Sequence, residues 1–282
     1  MLPIMSDAKR KTLTGCAIGC GVMLLLFLVG MGTTTWFTFR GYDQALRTRE
    51  TLDQLYASQA SYTPPPDGTI PAERMQRFLA VRRALVPFCE RVSEHQQVFQ
   101  RLSSYEDMDR PSVKEVFADG GRVITGLFRI GFDFGDYVAT RNEALLAREM
   151  GLGEYTWIYV TAYFSWLGHR PVRIIEEDDR PRIFQDRVFA EIRGMIERHV
   201  AARQADLDHP ATADPAGLAA WRAELEALGG DAERIPFEDG LPPELEASLQ
   251  PFRDELVELA CPAACELEVV RTEKAGSRYD HR

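Results

Sequence analysis

Cysteine and histidine are both scarce in this chain, five of each among 282 residues. So few cysteines exclude a disulfide-dense miniature scaffold. None stands in a Cys-x-x-Cys pair, the usual start of a zinc or thiol-redox site. The histidines, His95, His169, His199, His209 and His281, are scattered, with no His-x-x-x-His or Glu-x-x-His to begin a metal-hydrolase centre. There is no Gly-x-Ser-x-Gly elbow, phosphate loop or dinucleotide fingerprint, so no catalytic residue, cofactor site or metal site is expected. Basic charge is also short: the net charge is -10, which argues against nucleic acid as a partner. Alternating apolar residues are wanting too, since only Leu267-Glu268-Val269-Val270 reads as a strand and that is too short to build a sheet. What the chain does have is 45 % hydrophobic residues, with aromatics at 10 % and charged residues at 27 % of the whole. That composition buries a core and excludes disorder as the dominant state.

One long stretch lacks charge altogether. From Leu13 to Phe39 no ionised side chain occurs, and Val22–Val29 is densely apolar. The run exceeds the roughly 20 residues that cross a bilayer as a helix, and it is too long for the apolar region of a cleaved signal peptide. It ends in Trp36-Phe37, aromatics suited to the interface. Lys9-Arg10-Lys11 precedes it and keeps the N-terminus in the cytoplasm. The sequence therefore predicts a single-pass anchor in a bacterial inner membrane, with residues 41–282 in the periplasm or exterior. Leu13-Thr14-Gly15-Cys16 and Ala17-Ile18-Gly19-Cys20 look like lipoprotein attachment boxes, but they precede the apolar segment where a lipidation box must follow it. Gly15 and Gly19 form a small-xxx-small pair that would let two anchors approach as a homodimer.

Beyond the anchor every strong pattern is helical, so the fold class expected is all-α. The chain divides into a cytoplasmic tail (1–12), the anchor (13–39), a stalk helix and Pro-rich linker (40–71), a helical core domain (72–207) and a C-terminal helical extension with a polar tail (208–282). The stalk helix uses Tyr42, Leu46, Leu52, Leu55 and Tyr56, and is either paired with a partner or laid on the main domain. Pro64-Pro65-Pro66-Asp67-Gly68 then reads as a stiff linker or turn. Thr69 is placed to cap the next helix, which Pro87 should kink or split. Gly131 and Gly135 mark a close helix crossing in the pattern from Val123 to Met150. The stretch Glu154–Leu167 is apolar on every face, which predicts a central core helix built on Tyr155, Trp157, Tyr159 and Trp166 and ended by Gly168. Helices also follow over Ile183–Leu207, Leu218–Leu228 and Pro243–Leu259.

Few residues offer chemistry. Cys261 and Cys265, or one of them with Cys89, would form a disulfide in an oxidising compartment. The acidic run Glu176–Asp179 lacks the glycine and alternating oxygens of a calcium loop. Asp136 and Glu143 share a wheel face with Arg122 and Arg129, as a solvated stripe does. Arg129, Phe132, Asp133 and Phe134 reproduce the Arg-x-x-Phe-Asp-aromatic motif, and in this the chain resembles the lipase-specific foldases, membrane-anchored helical chaperones with a proline-containing linker. The resemblance implies a chaperone-type contact at those four residues, although Gly135-Asp136-Tyr137-Val138 departs from that family's continuation. The residues themselves point to a non-enzymatic protein-binding scaffold or accessory subunit of an envelope assembly. A foldase-like chaperone for a secreted client is the alternative, and an anchored hydrolase a third.

Overall fold

A computed structural model describes residues 44–103, 135–169, 183–206, 215–231 and 234–261, and every regular element among them is helical. The all-α class is therefore established for these residues. The proposed anchor 13–39 with Gly15 and Gly19, the foldase-like residues Arg129, Phe132, Asp133 and Phe134, the acidic run 176–179, Cys265 and the short apolar run 267–270 lie outside them. No helix among the described residues is long and apolar enough to cross a membrane.

The elements are α1 (44–55), α2 (Ala72–Ser103), α3 (135–147), α4 (Leu152–Tyr159) continued by a π-helical segment (Val160–Trp166), α5 (Ile183–Asp206), α6 (Pro215–Gly230), α7 (Pro243–Leu249), a 3-10 turn (Gln250–Phe252) and α8 (Arg253–Glu258). Their apolar faces meet in one hydrophobic cluster that runs from Ala45 to Leu259. The expected central helix is at its middle. Tyr155, Trp157 and Tyr159 are buried, and Trp166 is half-buried at the rim beneath the Arg253 guanidinium.

That helix changes pitch halfway. From Val160 it is a π-helix, with the Leu167 amide bonded to the Ala162 carbonyl, five residues back. The ring centroids of Tyr155 and Tyr159, in the α-helical part, are 6.1 Å apart, whereas those of Tyr159 and Tyr163 are 4.8 Å apart. The Arg82 guanidinium of α2 lies 5.3 Å from each of the Tyr159 and Tyr163 rings and donates to the Tyr155 hydroxyl. Gly168 ends the helix at φ +68°, the left-handed conformation that glycine adopts without a Cβ penalty.

Three local expectations are corrected. α2 is not split at Pro87, which sits on the solvent side, so no core contact is lost where its missing N–H interrupts the ladder. Thr69 does not cap α2: its amide donates to Asp67 Oδ1 at 3.0 Å, and the helix starts at Ala72 after Pro71. Leu55, placed on the apolar face of α1, is 63 % exposed while Leu52 is buried. α3 stops before Met150, at Glu149 with φ +50°, where Arg74 and Arg77 of α2 take the Glu149 and Arg148 carbonyls. Asp136 and Glu143 on its outer face are exposed, as the wet stripe requires.

Candidate functional site

The segment read as a linker is held against the helical body rather than free of it. Of the two arrangements open to the helix before it, α1 adopts the second and lies on the main body: Ala45 and Leu52 are buried, and the Ala45 carbonyl accepts from Asn142 Nδ2 of α3 at 3.1 Å. Residues 56–71 then form a strap over α4, α5 and α7. Gly151 and Gly153 at the start of α4 make the crossing possible. A Cβ on Gly153 would stand 2.5 Å from Tyr62 Cβ and 2.6 Å from the Ser58 carbonyl oxygen. The close approach therefore belongs to this pair, whereas Gly131, one of the two glycines singled out by spacing, lies outside the described residues.

Along its length the strap is pinned by polar contacts to residues far away in sequence. Buried Gln59 donates to Thr156 Oγ1 at 2.9 Å. Arg198 of α5 sends both Nε and Nη2 to the Tyr62 carbonyl, at 3.0 and 2.8 Å. Gly68, at φ +70°, passes so close to Glu244 and Trp221 that a Cβ would meet Glu244 Cγ at 3.0 Å. The Ile70 amide donates to Ser248 Oγ at 3.1 Å. Pro64 is buried and Pro66 exposed, so the proline run has an inner and an outer face. Its fixed φ angles leave little freedom to lose on docking.

The Arg198 clamp can be tested directly. Arg198→Met keeps the apolar stem and leaves the Tyr62 carbonyl without its charged donors, for an expected loss of about 1–2 kcal/mol of unfolding free energy. Urea unfolding measures this, and faster proteolytic nicking near Tyr62 should accompany it.

Between the strap and the α2–α4 pair lies a groove of about 450 Å³, lined by residues 62–66 and 69–71 of the strap and by Arg74, Glu154 and Ile158. The Arg74–Glu154 ion pair is two-pronged, Arg74 Nε and Nη2 each meeting a Glu154 oxygen. Burial and the neighbouring Glu154 carboxylate push the Tyr62 phenol pKa up, partly opposed by Arg74, so the hydroxyl stays protonated across the physiological range. The groove thus offers largely apolar walls, with Thr63, Thr69 and the paired Arg74 and Glu154 as its polar lining. Nothing in it presents a nucleophile beside a base.

Under the strap, away from the groove, α5, α6 and α7 bring together side chains that the sequence scatters. His199 lies tilted against Trp221 with ring centroids 3.8 Å apart, and Trp221 Nε1 donates to Glu244 Oε1 at 3.2 Å. Arg203 reaches the same oxygen at 3.4 Å. Trp157 and Phe237 complete the aromatic group, at 5.8 and 5.2 Å from Trp221. Phe237 holds φ +56°, unusual for a bulky residue, with its amide bonded to buried Glu224 at 2.7 Å. A histidine does converge with a carboxylate here, but it is sealed from solvent. No group of three or more metal-ligating side chains occurs among the described residues.

Of the three cysteines considered for a bridge, Cys89 and Cys261 are joined, with Cα atoms 5.6 Å apart, inside the range a disulfide spans. The bond ties α2 to the end of α8 across 172 residues. Sequence reasoning missed the strap, Gly151 and Gly153, and the His199–Trp221–Glu244 group. The one available signal was Gly-x-Gly directly before an apolar helix. Comparison with protein-family models, with curated proteins and with solved structures finds no match to this chain.

Proposed function

We propose that the chain is a single-pass, N-in membrane protein whose helical body works outside the cytoplasm as a protein-binding scaffold or accessory subunit of an envelope assembly, without catalysis of its own. The observation that carries the reading is the docking of α1 and the strap onto the body. Between the proposed anchor's end at Phe39 and the first residue of α1 at Gln44, the backbone spans about 18 Å even when fully extended. An anchor there would hold the body close to the membrane in a restricted orientation, as a fixed subunit needs and a roaming chaperone or enzyme on a tether does not. The Cys89–Cys261 bond supports the oxidising side of the membrane.

The test requires the full chain, because a fragment starting near residue 70 would lose Leu52, Gln59 and the strap from the packed body. In-membrane photo-crosslinking from several exposed positions is expected to recover the same protein partner each time. Recovery of none, together with turnover of a small substrate by the purified full chain, would overturn the proposal.

A further inference from the structure

Contacts among α1, α2 and α3 set which end of the body faces the proposed anchor. α2 and α3 run antiparallel. Phe88 and Tyr137 meet with ring centroids 6.0 Å apart, and eleven residues away on each strand of this pairing Arg77 Nη1 donates to the Arg148 carbonyl at 3.0 Å. α1 and α3 run parallel. At one end the Ala45 carbonyl accepts from Asn142 and Gln44 donates to Glu143, and at the other Tyr56 lies against Gly151. The first turn of α1 is therefore level with Asn142 of α3, and so with Arg83 of α2.

α2 does not stop at that level. It continues from Arg83 to Ser103, about 30 Å of helix, in the direction from which the chain enters α1. A bend of about 25° at Pro87 would shorten the projection by only about a tenth. The tether is shorter than this. From Phe39, where the proposed anchor ends, to Gln44 the backbone reaches about 18 Å at most. With the helices upright, the end of α2 lies past the farthest level at which the bilayer can begin. Only a lean of more than about 50° would lift it clear.

The composition of that end suits a lipid surface. By sequence, residues 92–103 hold one acid, Glu94, and one base, Arg101, in a chain whose net charge is -10. Val92, Val98, Phe99 and Leu102 are among them. A net-neutral segment with apolar residues enters a headgroup layer without repulsion and without needing anionic lipid.

We propose that residues 92–103 of α2 are a membrane-contact element that seats in the headgroup layer and, together with the anchor, holds the body at two points. The proposal rests on the anchor reading above. One attachment would leave the body free to swing about its tether, whereas two fix its tilt. The groove beside Arg74, at the opposite end of α2, is then held about 40 Å from the bilayer, open to a partner standing off the membrane.

The experiment uses the full chain in phosphatidylcholine nanodiscs doped with a headgroup spin-labelled lipid, which quenches nearby fluorescence. A fluorescent amino acid replaces Gln100 in one variant and Gln76, exposed near the other end of α2, in a second. Emission at position 100 should be largely lost and emission at position 76 unchanged. If the first variant does not fold, position 97, about 21 Å past the level of Arg83, reads the same contact. An alkaline carbonate wash of liposomes carrying the same protein tests the anchor separately. Chain retained through the wash with emission at position 100 or 97 unquenched would overturn the contact and leave the anchor standing. Chain released by the wash would overturn both. Equal quenching at both ends of α2 would also overturn the proposal, because the helix would then be lying along the membrane.

Discussion

Gly153→Ala is expected to lower the unfolding free energy by about 2–3 kcal/mol, although alanine is the better helix former by about 1 kcal/mol. The new Cβ would stand 2.5 Å from Tyr62 Cβ and 2.6 Å from the Ser58 carbonyl oxygen, with the Ser58 carbonyl carbon at 3.0 Å. Two of these three atoms are backbone, so no side-chain rotation relieves the clash. The strap itself would have to retreat, taking with it the buried Gln59–Thr156 hydrogen bond and the Arg198 clamp on Tyr62. Gly229→Ala in α6 is the control. Its Cβ would come no closer than 3.7 Å to any neighbour, the exposed Arg193 Nη2, and touches nothing of the strap. Propensity should then decide, leaving that variant neutral or up to about 1 kcal/mol more stable. Urea unfolding of the two variants therefore gives opposite signs. Equal losses would mean that the strap does not press on α4.

The contrast between the two glycines shows where the sequence is readable and where it is not. Apolar spacing locates the helices over 183–206, 215–230 and 243–258, because their burial is a property of the local pattern. The all-apolar run at 154–167 identifies the central helix for the same reason, and Gly168 marks its end by a backbone conformation only glycine takes easily. The strap was hidden because its chemistry is non-local. Three successive prolines carry no donors of their own and look like a spacer. What fixes them comes from Arg198, His199, Trp221, Glu244 and Ser248, more than 130 residues away in the case of Arg198. The π-turn leaves no sequence mark, and the Arg82 guanidinium that lies against Tyr159 and Tyr163 there comes from another helix. Pro87 misleads in the opposite direction. Its local penalty is real, but the packing of Leu85, Arg82 and Phe78 on the other face keeps α2 in one piece.

Removing the Cys89–Cys261 bond should have the largest effect of any covalent change, about 2–5 kcal/mol of unfolding free energy. The bond closes a loop of 172 residues, for which loop-closure entropy in the unfolded chain gives about 5 kcal/mol as the upper figure. The folded ends already lie together. Arg82 Nη2 donates to the Leu259 carbonyl at 2.9 Å, Arg83 pairs with Glu255, and Leu256 and Leu259 are buried. The bond is therefore expected to act mainly on the unfolded state, and its loss should leave the helical content of the folded protein unchanged. Two readouts separate this from a bond that shapes the native fold. The Cys89→Ala/Cys261→Ala double variant should unfold at lower urea with a steeper slope, because an uncrosslinked chain exposes more surface. Reductant on the unsubstituted protein should reproduce the same midpoint. A double variant that retains the original midpoint, or reductant with no effect on it, would show the two sulfurs to be unjoined in the folded chain. The sequence separation is what makes the expected loss so large: the same two cysteines placed one helical turn apart would constrain almost nothing. Cys261 joined to Cys265 would have closed a loop of that short kind, whereas its bond to Cys89 fastens the segment that follows α8 to the helix on which the central tyrosines rest.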